Sequence, residues 1–288
     1  MKERLVATFS IVGFDPETGE LGIAVQSKFI GVGAVVPWAK AGVGAVATQS
    51  YANTSFGPNG LKLIENGLSA QGALDRLLSE DDDREFRQVG IVDAKGNVAT
   101  FTGAKCYDWA GGITGKNFAA QGNILVGQET VQSMADTFTT TQGTLSERLL
   151  KALDSGQASG GDSRGKQSAA LYVVKEKGGY GGYNDHFIDL RVDDHPEPIK
   201  ELIRLYELQQ LYFGQTKPEN IKEINGPIKS DLVSQLVLWG YLEEDSPTDD
   251  ALFEALTRFI HTENFEEREQ DKGKIDIEVL KFMENKSR

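Results

Sequence analysis

The hydrophobic pattern of the first 27 residues predicts a β-hairpin. Residues 6–14 and 21–27 are rich in apolar, strand-forming side chains, and the segment between them, residues 15–19, has Pro near its start and Gly at its end. Because side chains alternate between the two faces of a strand, Thr8 and Ser10 fall on the same face. Two hydroxyl groups are therefore expected side by side near the start of the chain.

Farther along, the pattern predicts several more strands and helices. Short apolar runs indicate strands at residues 42–47, 87–92, 97–101, 167–175 and 186–192. Apolar positions at helical spacing indicate helices at residues 57–66, 69–79, 129–140, 145–155 and 197–213. This order lacks the strict strand–helix alternation of a Rossmann fold or a TIM barrel. It favours an α+β fold in which two antiparallel sheets lie between helical layers.

The composition changes after Gly214. Residues 215–220 are polar and read as a linker. Helical patterns follow at residues 229–239, 249–261 and 275–283. Short helices of this total length form a small domain with a limited core. We therefore expect an α+β domain at residues 1–213 and a small, mainly α-helical domain at residues 214–288.

Composition and charge narrow the set of partners. The chain has 43 acidic and 30 basic residues and a net charge of -13, which disfavours binding to nucleic acid and to anionic membranes. Its start does not resemble a signal peptide, and no run of apolar residues is long enough to span a bilayer. The single cysteine, Cys106, excludes an intramolecular disulfide. We expect a cytoplasmic protein.

The sequence offers one cluster of possible metal ligands. Two of the three histidines, His186 and His195, lie among Asp189, Asp193 and Asp194. The segment 194–196, however, has the residues of a helix start, with a capping side chain followed by proline. We favour the helix cap and expect no metal. Neither a GxGxxG segment nor a P-loop is present, so no cofactor is expected.

Several longer motifs carry a resemblance to a known family. They are residues 8–12, 15–22, 24–27, 35–39, 121–123, 161–170 and 189–196. They resemble a bacterial family of unknown function that is classed by fold with the N-terminal-nucleophile (Ntn) hydrolases, and the resemblance covers nearly all of residues 7–210. Through residues 238–241 and 263–268, the tail resembles the peptidoglycan-binding domain that is sometimes fused to this family. The resemblance implies a four-layer αββα sandwich.

The resemblance also implies a chemistry. Ntn hydrolases cleave amide bonds with the side chain of an N-terminal Thr, Ser or Cys, whose own α-amine is the base. Thr8 then becomes the first candidate nucleophile and Ser10 the alternative. Residues 1–7, here called the leader, must be removed before Thr8 has a free amine. Thr8 can equally be an ordinary β-branched strand residue.

The candidate partners of the nucleophile lie in three places. Lys28 and Lys40 flank the predicted first strands, where either could lower the pKa of a hydroxyl group or lie on the surface. Asp162, Ser163 and Arg164 occupy a Gly/Ser-rich loop before a strand. They could orient an amine or a substrate carboxylate, or form a capped turn.

Amide side chains complete the predicted site. Gln121 and Asn123 could donate hydrogen bonds to an oxyanion, or stabilise a turn. Gln49 and Asn53 are further candidates for substrate binding. Together these residues suggest an amide hydrolase that acts on a small or peptide-like substrate. The alternative is a non-catalytic binding protein that keeps the fold and binds cell wall or a partner through its tail. In either case we expect a homodimer, and the tail makes peptidoglycan a candidate ligand.

Overall fold

The computed structural model describes residues 5–243 and 245–286, and the chain divides into two units, Met1–Arg204 and Leu205–Arg288. The strands within the described ranges are β1 (Leu5–Val6), β2 (Thr8–Phe14), β3 (Leu21–Ser27), β4 (Pro37–Lys40), β5 (Gly44–Tyr51), β6 (Arg87–Asp93), β7 (Val98–Thr102), β8 (Gly111–Gly115), β9 (Phe118–Gly122), β10 (Ser168–Val174), β11 (His186–Val192), β12 (Ile221–Glu223) and β13 (Lys274–Asp276). The helices are α1 (Phe56–Glu65), α2 (Ala70–Ser79), α3 (Glu129–Thr140), α4 (Leu145–Ala158), α5 (Pro198–Phe213), α6 (Gly226–Leu238), α7 (Asp249–Thr262) and α8 (Ile277–Asn285).

The first unit contains two antiparallel sheets packed face to face. One sheet has the strand order β11-β10-β3-β2-β9-β8. The other has the order β1-β5-β6-β7, and β4 also pairs with β5. Helices α1 and α2 pack on the second sheet, and α3 and α4 pack on the first. The layers are therefore helix, sheet, sheet, helix, which confirms the α+β class and the αββα arrangement.

Apolar stripes attach the helices to the sheets. Helix α3 buries Val131, Met134 and Phe138, which recur at helical spacing on one face. Helix α4 begins with a capping box: the N–H of Glu147 donates to the Thr144 hydroxyl (3.3 Å), and the Glu147 carboxylate accepts from the Thr144 N–H (2.9 Å). These local bonds fix where α4 starts and hence which face it presents to the sheet.

The predicted first strand is in fact two strands in different sheets. Leu5 and Val6 form β1, which pairs with β5, whereas β2 begins at Thr8 and pairs with β3 and β9. The chain crosses between the sheets at Ala7. Hydrophobic periodicity could not reveal this, because a small apolar residue suits a continuous strand as well as a crossing.

The sequence pattern also missed β8 and β9, which lie in a glycine-rich segment. Glycine removes the alternation of apolar and polar side chains that marks a strand. Gly112 shows why glycine stands there: a Cβ added to it would lie 2.7 Å from the Thr100 hydroxyl oxygen on β7. Close approach of the two sheets therefore explains the composition of this segment.

The second unit has a core of aromatic and aliphatic side chains from α6, α7 and α8. Trp239, Phe259 and Phe265 lie at its centre, and the second half of α5 packs against it through Leu211 and Tyr212. The compact unit consequently begins within α5, at Leu205. The domain boundary after Phe213 stays a prediction from composition. A polar linker marks the end of a helix but not which core that helix joins.

A buried ion pair connects the segments of the second unit. Arg268 donates to the Asp276 carboxylate (2.6 Å), to the Gln210 carbonyl (2.8 Å) and to the Leu211 carbonyl. Asp276 is fully buried and also accepts from the Thr216 hydroxyl (2.8 Å). Arg268 thereby adds a second donor to the Gln210 carbonyl, which also accepts from the Gly214 N–H (2.9 Å), and it pairs the Leu211 carbonyl at the end of α5.

We expect Arg268→Met to lower the free energy of unfolding of the second unit by about 3–5 kcal/mol, because it leaves a buried carboxylate without its cation. Hydrogen-exchange mass spectrometry of α6 to α8 across a urea titration measures this. Lys272→Met removes an exposed cation from the same unit and should change stability by less than about 0.5 kcal/mol. Equal effects of the two substitutions would show that the Arg268 pair is not what holds the unit together.

Candidate functional site

The peptide bond between Ala7 and Thr8 lies at the crossing between the sheets and is fully buried. The Ala7 carbonyl oxygen accepts hydrogen bonds from Ser27 Oγ (2.5 Å) and from Arg164 Nη2 (3.1 Å). Thr8 Oγ1 donates to the Val6 carbonyl oxygen (2.9 Å). Two donors thus converge on the buried carbonyl next to the candidate nucleophile. Ser27 is fully buried, whereas the Arg164 side chain is 34% exposed.

Asp162 holds one of these two donors in place. Its carboxylate is buried and accepts from Arg164 Nε (3.0 Å) and Nη2 (2.7 Å), as well as from the backbone N–H of Arg164 (2.9 Å) and of Lys28 (3.1 Å). A bidentate pair of this kind fixes the plane of the guanidinium group. The neighbouring Ser163 is exposed, and its N–H donates to the Ile124 carbonyl (2.9 Å). The structure therefore brings Asp162 and Arg164, but not the Ser163 side chain, to the Ala7 carbonyl.

Ser10 lies on the same face as Thr8, as predicted, but its hydroxyl is fully engaged. Ser10 Oγ donates to Gln49 Oε1 (2.6 Å) and accepts from Gln121 Nε2 (2.7 Å). Both amides are buried. Attack by Ser10 would therefore break both hydrogen bonds of its hydroxyl, and no water could form new ones with the two amides. The geometry favours Thr8 over Ser10 as nucleophile.

A residue that the sequence analysis missed, Gln88, connects these amides. Gln88 Oε1 accepts from Gln49 Nε2 (2.8 Å) and from Asn123 Nδ2 (2.8 Å), and Gln88 Nε2 donates to the Gly122 carbonyl (2.7 Å). The Asn123 N–H in turn donates to the Thr8 carbonyl (3.0 Å). The signal in the sequence was a polar pair, Arg87 and Gln88, at the start of a strand whose next four residues are apolar or glycine.

Two amide oxygens of this network are unpaired hydrogen-bond acceptors among the described residues. Gln121 Oε1 and Asn123 Oδ1 are buried and have no hydrogen-bond partner within the described part of the chain. Gly90, opposite Gln121, leaves room for that amide, since a Cβ there would lie 2.1 Å from Gln121 Oε1. Gln121 and Asn123 thus belong to a network between the sheets rather than to a turn. Their amide N–H groups already donate to Ser10 and Gln88, and their unpaired atoms are acceptors, so their contacts do not support the predicted donation to an oxyanion.

The ammonium groups of the two predicted basic partners, Lys28 and Lys40, bond to groups other than the Thr8 hydroxyl. The Lys40 ammonium pairs with Glu65 (2.5 Å) and is half-exposed. Lys40 stands opposite Gly44, whereas Val6 stands opposite Ser50, so about 20 Å of strand separates the two positions. The ammonium group of Lys28 is exposed and donates to the Lys166 carbonyl (3.3 Å). Lys28 directly follows Ser27, which stands opposite Thr8, and its N–H donates to Asp162, but its ammonium group is directed to the Lys166 carbonyl. Lys40 lies at the opposite end of the β5 edge from Val6.

Asn53 also lies away from the Ala7 carbonyl. Its side chain accepts from the Ser55 hydroxyl (2.7 Å) and donates to the Asp81 carboxylate (3.3 Å), which stabilises the turn before α1. Burial opposes the ionisation of Asp81, but hydrogen bonds from Arg87 and others outweigh it, so its pKa is lowered. The expectation that Asn53 binds substrate is therefore not supported by its contacts.

Two ionisable groups lie near β5 and β6. Burial raises the pKa of the Cys106 thiol, whose sulfur donates to the Arg87 carbonyl (3.3 Å). A protonated thiol is a weak nucleophile, so Cys106 is a poor alternative to Thr8. A hydrogen bond with Tyr107 raises the pKa of Tyr51, the residue opposite Leu5.

The histidine–aspartate segment forms helix and strand contacts. His195 Nδ1 accepts from the Glu197 N–H (3.0 Å) just before α5, and the His186 ring packs edge-on against Tyr172. Asp189 forms a bidentate pair with Arg191 (2.7 and 3.0 Å). Across residues 5–243 and 245–286, no three His, Cys, Asp or Glu side chains are grouped so as to hold a metal ion. Over the same ranges, no helix has both the length and the apolar character needed to cross a membrane.

Comparison with known proteins identifies the family. The family described as "Family of unknown function (DUF1028)" matches residues 8–202. The chain belongs to the DUF1028 family. A crystal structure from the same family, that of protein SPO2555 from Silicibacter pomeroyi, is 31% identical and covers 72% of this chain and 88% of its own, with a TM-score of 0.66. No curated protein matches the sequence.

A second family matches the tail of this DUF1028 protein. Residues 212–283 match the domain described as "Putative peptidoglycan binding domain". The two matches confirm the resemblance of the body to a family of unknown function and of the tail to a peptidoglycan-binding domain. Neither family description states an activity.

We expect Gln88→Leu to destabilise the first unit by about 2–4 kcal/mol, because it leaves the Asn123 amide and the Gly122 carbonyl buried without their partner. Urea unfolding followed by circular dichroism measures this. Gln132→Leu, the same change at an exposed site on α3, is the matched control and should be close to neutral. A neutral Gln88→Leu would show that the network is not structurally required.

Proposed function

We propose that this DUF1028 protein is an amide hydrolase of the N-terminal-nucleophile type, and that Thr8 is its nucleophile once the leader has been removed. The observation that carries the proposal is the pair of donors on the Ala7 carbonyl oxygen, Ser27 Oγ and Arg164 Nη2. After the leader leaves, the same donors are free to hold the carbonyl oxygen of a substrate beside Thr8. Donors fixed before the reaction stabilise the negative charge that develops on that oxygen.

The chemistry follows from this arrangement. Thr8 Oγ attacks the substrate carbonyl carbon, and its proton passes to the Thr8 α-amine. The oxygen that becomes negative is held by Ser27 and Arg164. The amide nitrogen then takes the proton and leaves, so that an ester joins the acyl group to Thr8. A water molecule, deprotonated by the same amine, hydrolyses the ester and restores the enzyme.

The hydrogen-bond partners of Thr8 and of the two lysines support the α-amine of Thr8 as the base. A threonine hydroxyl is a weak nucleophile at neutral pH and needs a base within hydrogen-bond reach. The hydroxyl of Thr8 contacts a carbonyl oxygen of the leader, and the two candidate lysines are turned elsewhere. An α-amine, with a pKa near neutral, supplies the base on the nucleophilic residue itself.

One observation favours the non-catalytic alternative. With the leader in place, Thr8 is fully buried and its hydroxyl is bonded to Val6, so the intact chain offers no access to a substrate. If the leader is never removed, the first unit is a scaffold, and the tail carries the function. The tail match makes peptidoglycan the ligand we propose for it. The cytoplasmic location and the homodimer stay predictions from the sequence.

We expect a chain that begins at Thr8 to hydrolyse members of a panel of acyl amides, and Thr8→Ala in that chain to lower kcat by about 10³-fold or more. Release of the amine product measures turnover. Thr139→Ala, the same change at an exposed site on α3, should keep full activity. Activity in the full-length chain with Met1 attached, or equal activity with and without the Thr8 hydroxyl, would contradict the proposal.

A further inference from the structure

The leader occupies a position that an extended peptide could fill. Leu5 and Val6 pair antiparallel with Tyr51 and Ser50, at the end of β5. Strand β4 covers the same edge of β5 only from Gly44 to Ala47. The leader therefore completes an edge that would otherwise present unpaired backbone N–H and C=O groups.

From this geometry we infer that the channel now filled by Leu5, Val6 and Ala7 is the acyl-side substrate groove. Its substrate is an extended peptide, which adds to the edge of β5 as an antiparallel strand. The inference rests on the proposed function, since the groove opens only when the leader leaves. Addition of a strand to a free sheet edge is a common way to bind peptides, because the backbone supplies affinity and side-chain pockets supply selectivity.

The surroundings of the leader specify the side chains that the groove accepts. Ala7, whose carbonyl the two donors hold, is fully buried, so the residue that contributes the cleaved carbonyl must be small. Val6 is 3% exposed and belongs to the apolar cluster between the sheets, which excludes a charged residue at the preceding position. Leu5 is only partly buried and tolerates more variation. The preferred acyl segment is apolar, apolar, small.

Backbone geometry places this segment correctly for cleavage. In the intact chain Leu5 and Val6 pair with the end of β5. The next carbonyl, that of Ala7, already accepts hydrogen bonds from Ser27 Oγ and Arg164 Nη2. A substrate that copies these three residues consequently presents its third carbonyl carbon next to Thr8. Register along β5 thus determines which amide bond is cut.

The test measures binding separately from turnover. The chain beginning at position 8 and carrying Thr8→Ala is released from a fusion partner after folding, and its circular dichroism melt is compared with that of the full-length chain. Acetyl-Leu-Val-Ala-amide and its reversed control, acetyl-Ala-Val-Leu-amide, are titrated by ligand-observed NMR. We expect the first peptide to bind about ten-fold or more tightly than the second, since the buried third position discriminates by size. The full-length chain should bind neither.

Should the shortened chain fail to fold, a full-length variant answers the same question. Val6→Asp places a carboxylate in the apolar cluster and expels the leader from the edge of β5. Acetyl-Leu-Val-amide should then bind to this variant and not to the unaltered full-length chain. Absence of binding to the variant, or equal affinity of the shortened chain for the two tripeptides, would contradict the proposed peptide groove.

The outcomes also separate this inference from the proposed hydrolase. Preferential binding of acetyl-Leu-Val-Ala-amide, without turnover of any acyl amide by the chain that begins at Thr8, supports the groove and contradicts the hydrolase. Turnover of acyl amides with equal affinity for both tripeptides supports the hydrolase and contradicts the groove.

Discussion

The path of the chain from one sheet to the other depends on the hydrogen bonds to the Ala7 carbonyl oxygen. At this point the chain passes from one sheet to the other, and its peptide groups would be buried without partners if Ser27 and Arg164 did not supply donors. Arg164 can serve only because Asp162, itself buried, holds its guanidinium group by two bonds. A cation and a carboxylate from a distant loop are thereby fixed beside the first residue of β2, which is also where the proposed chemistry takes place.

The interface between the sheets has an apolar part and a hydrogen-bonded polar part. One part is an apolar cluster, which provides the hydrophobic stabilisation of the sandwich. The other part, next to Thr8, is a network of Ser10 and four amides with Gln88 at its centre. Amides bonded in this way hold one another in defined orientations, and a buried network that is nearly satisfied is rigid. Such rigidity is what a site needs to keep donors in place before a substrate arrives.

The sequence predicted the fold class well and the site only in part. The helices and most strands of the body follow from periodicity, apart from the glycine-rich β8 and β9, and the long motifs led to the family. The crossing at Ala7 and the role of Gln88 could not be predicted, because both depend on which sheet a strand joins and not on local pattern. For the basic group that the resemblance implies, the sequence suggested Lys28 and Lys40, whose ammonium groups bond to the Lys166 carbonyl and to Glu65. The structure places Arg164, from a loop more than a hundred residues later, at the Ala7 carbonyl.

Removal of the leader is the central claim, since the free amine, the freed donors and the open groove all depend on it. Intact mass measurement, with N-terminal sequencing, of the protein isolated from its native cells tests this claim most directly. We expect a chain that lacks residues 1–7 and reads Thr-Phe-Ser-Ile-Val from its first residue. A preparation in which every chain retains the leader and which nevertheless hydrolyses amides would contradict the account.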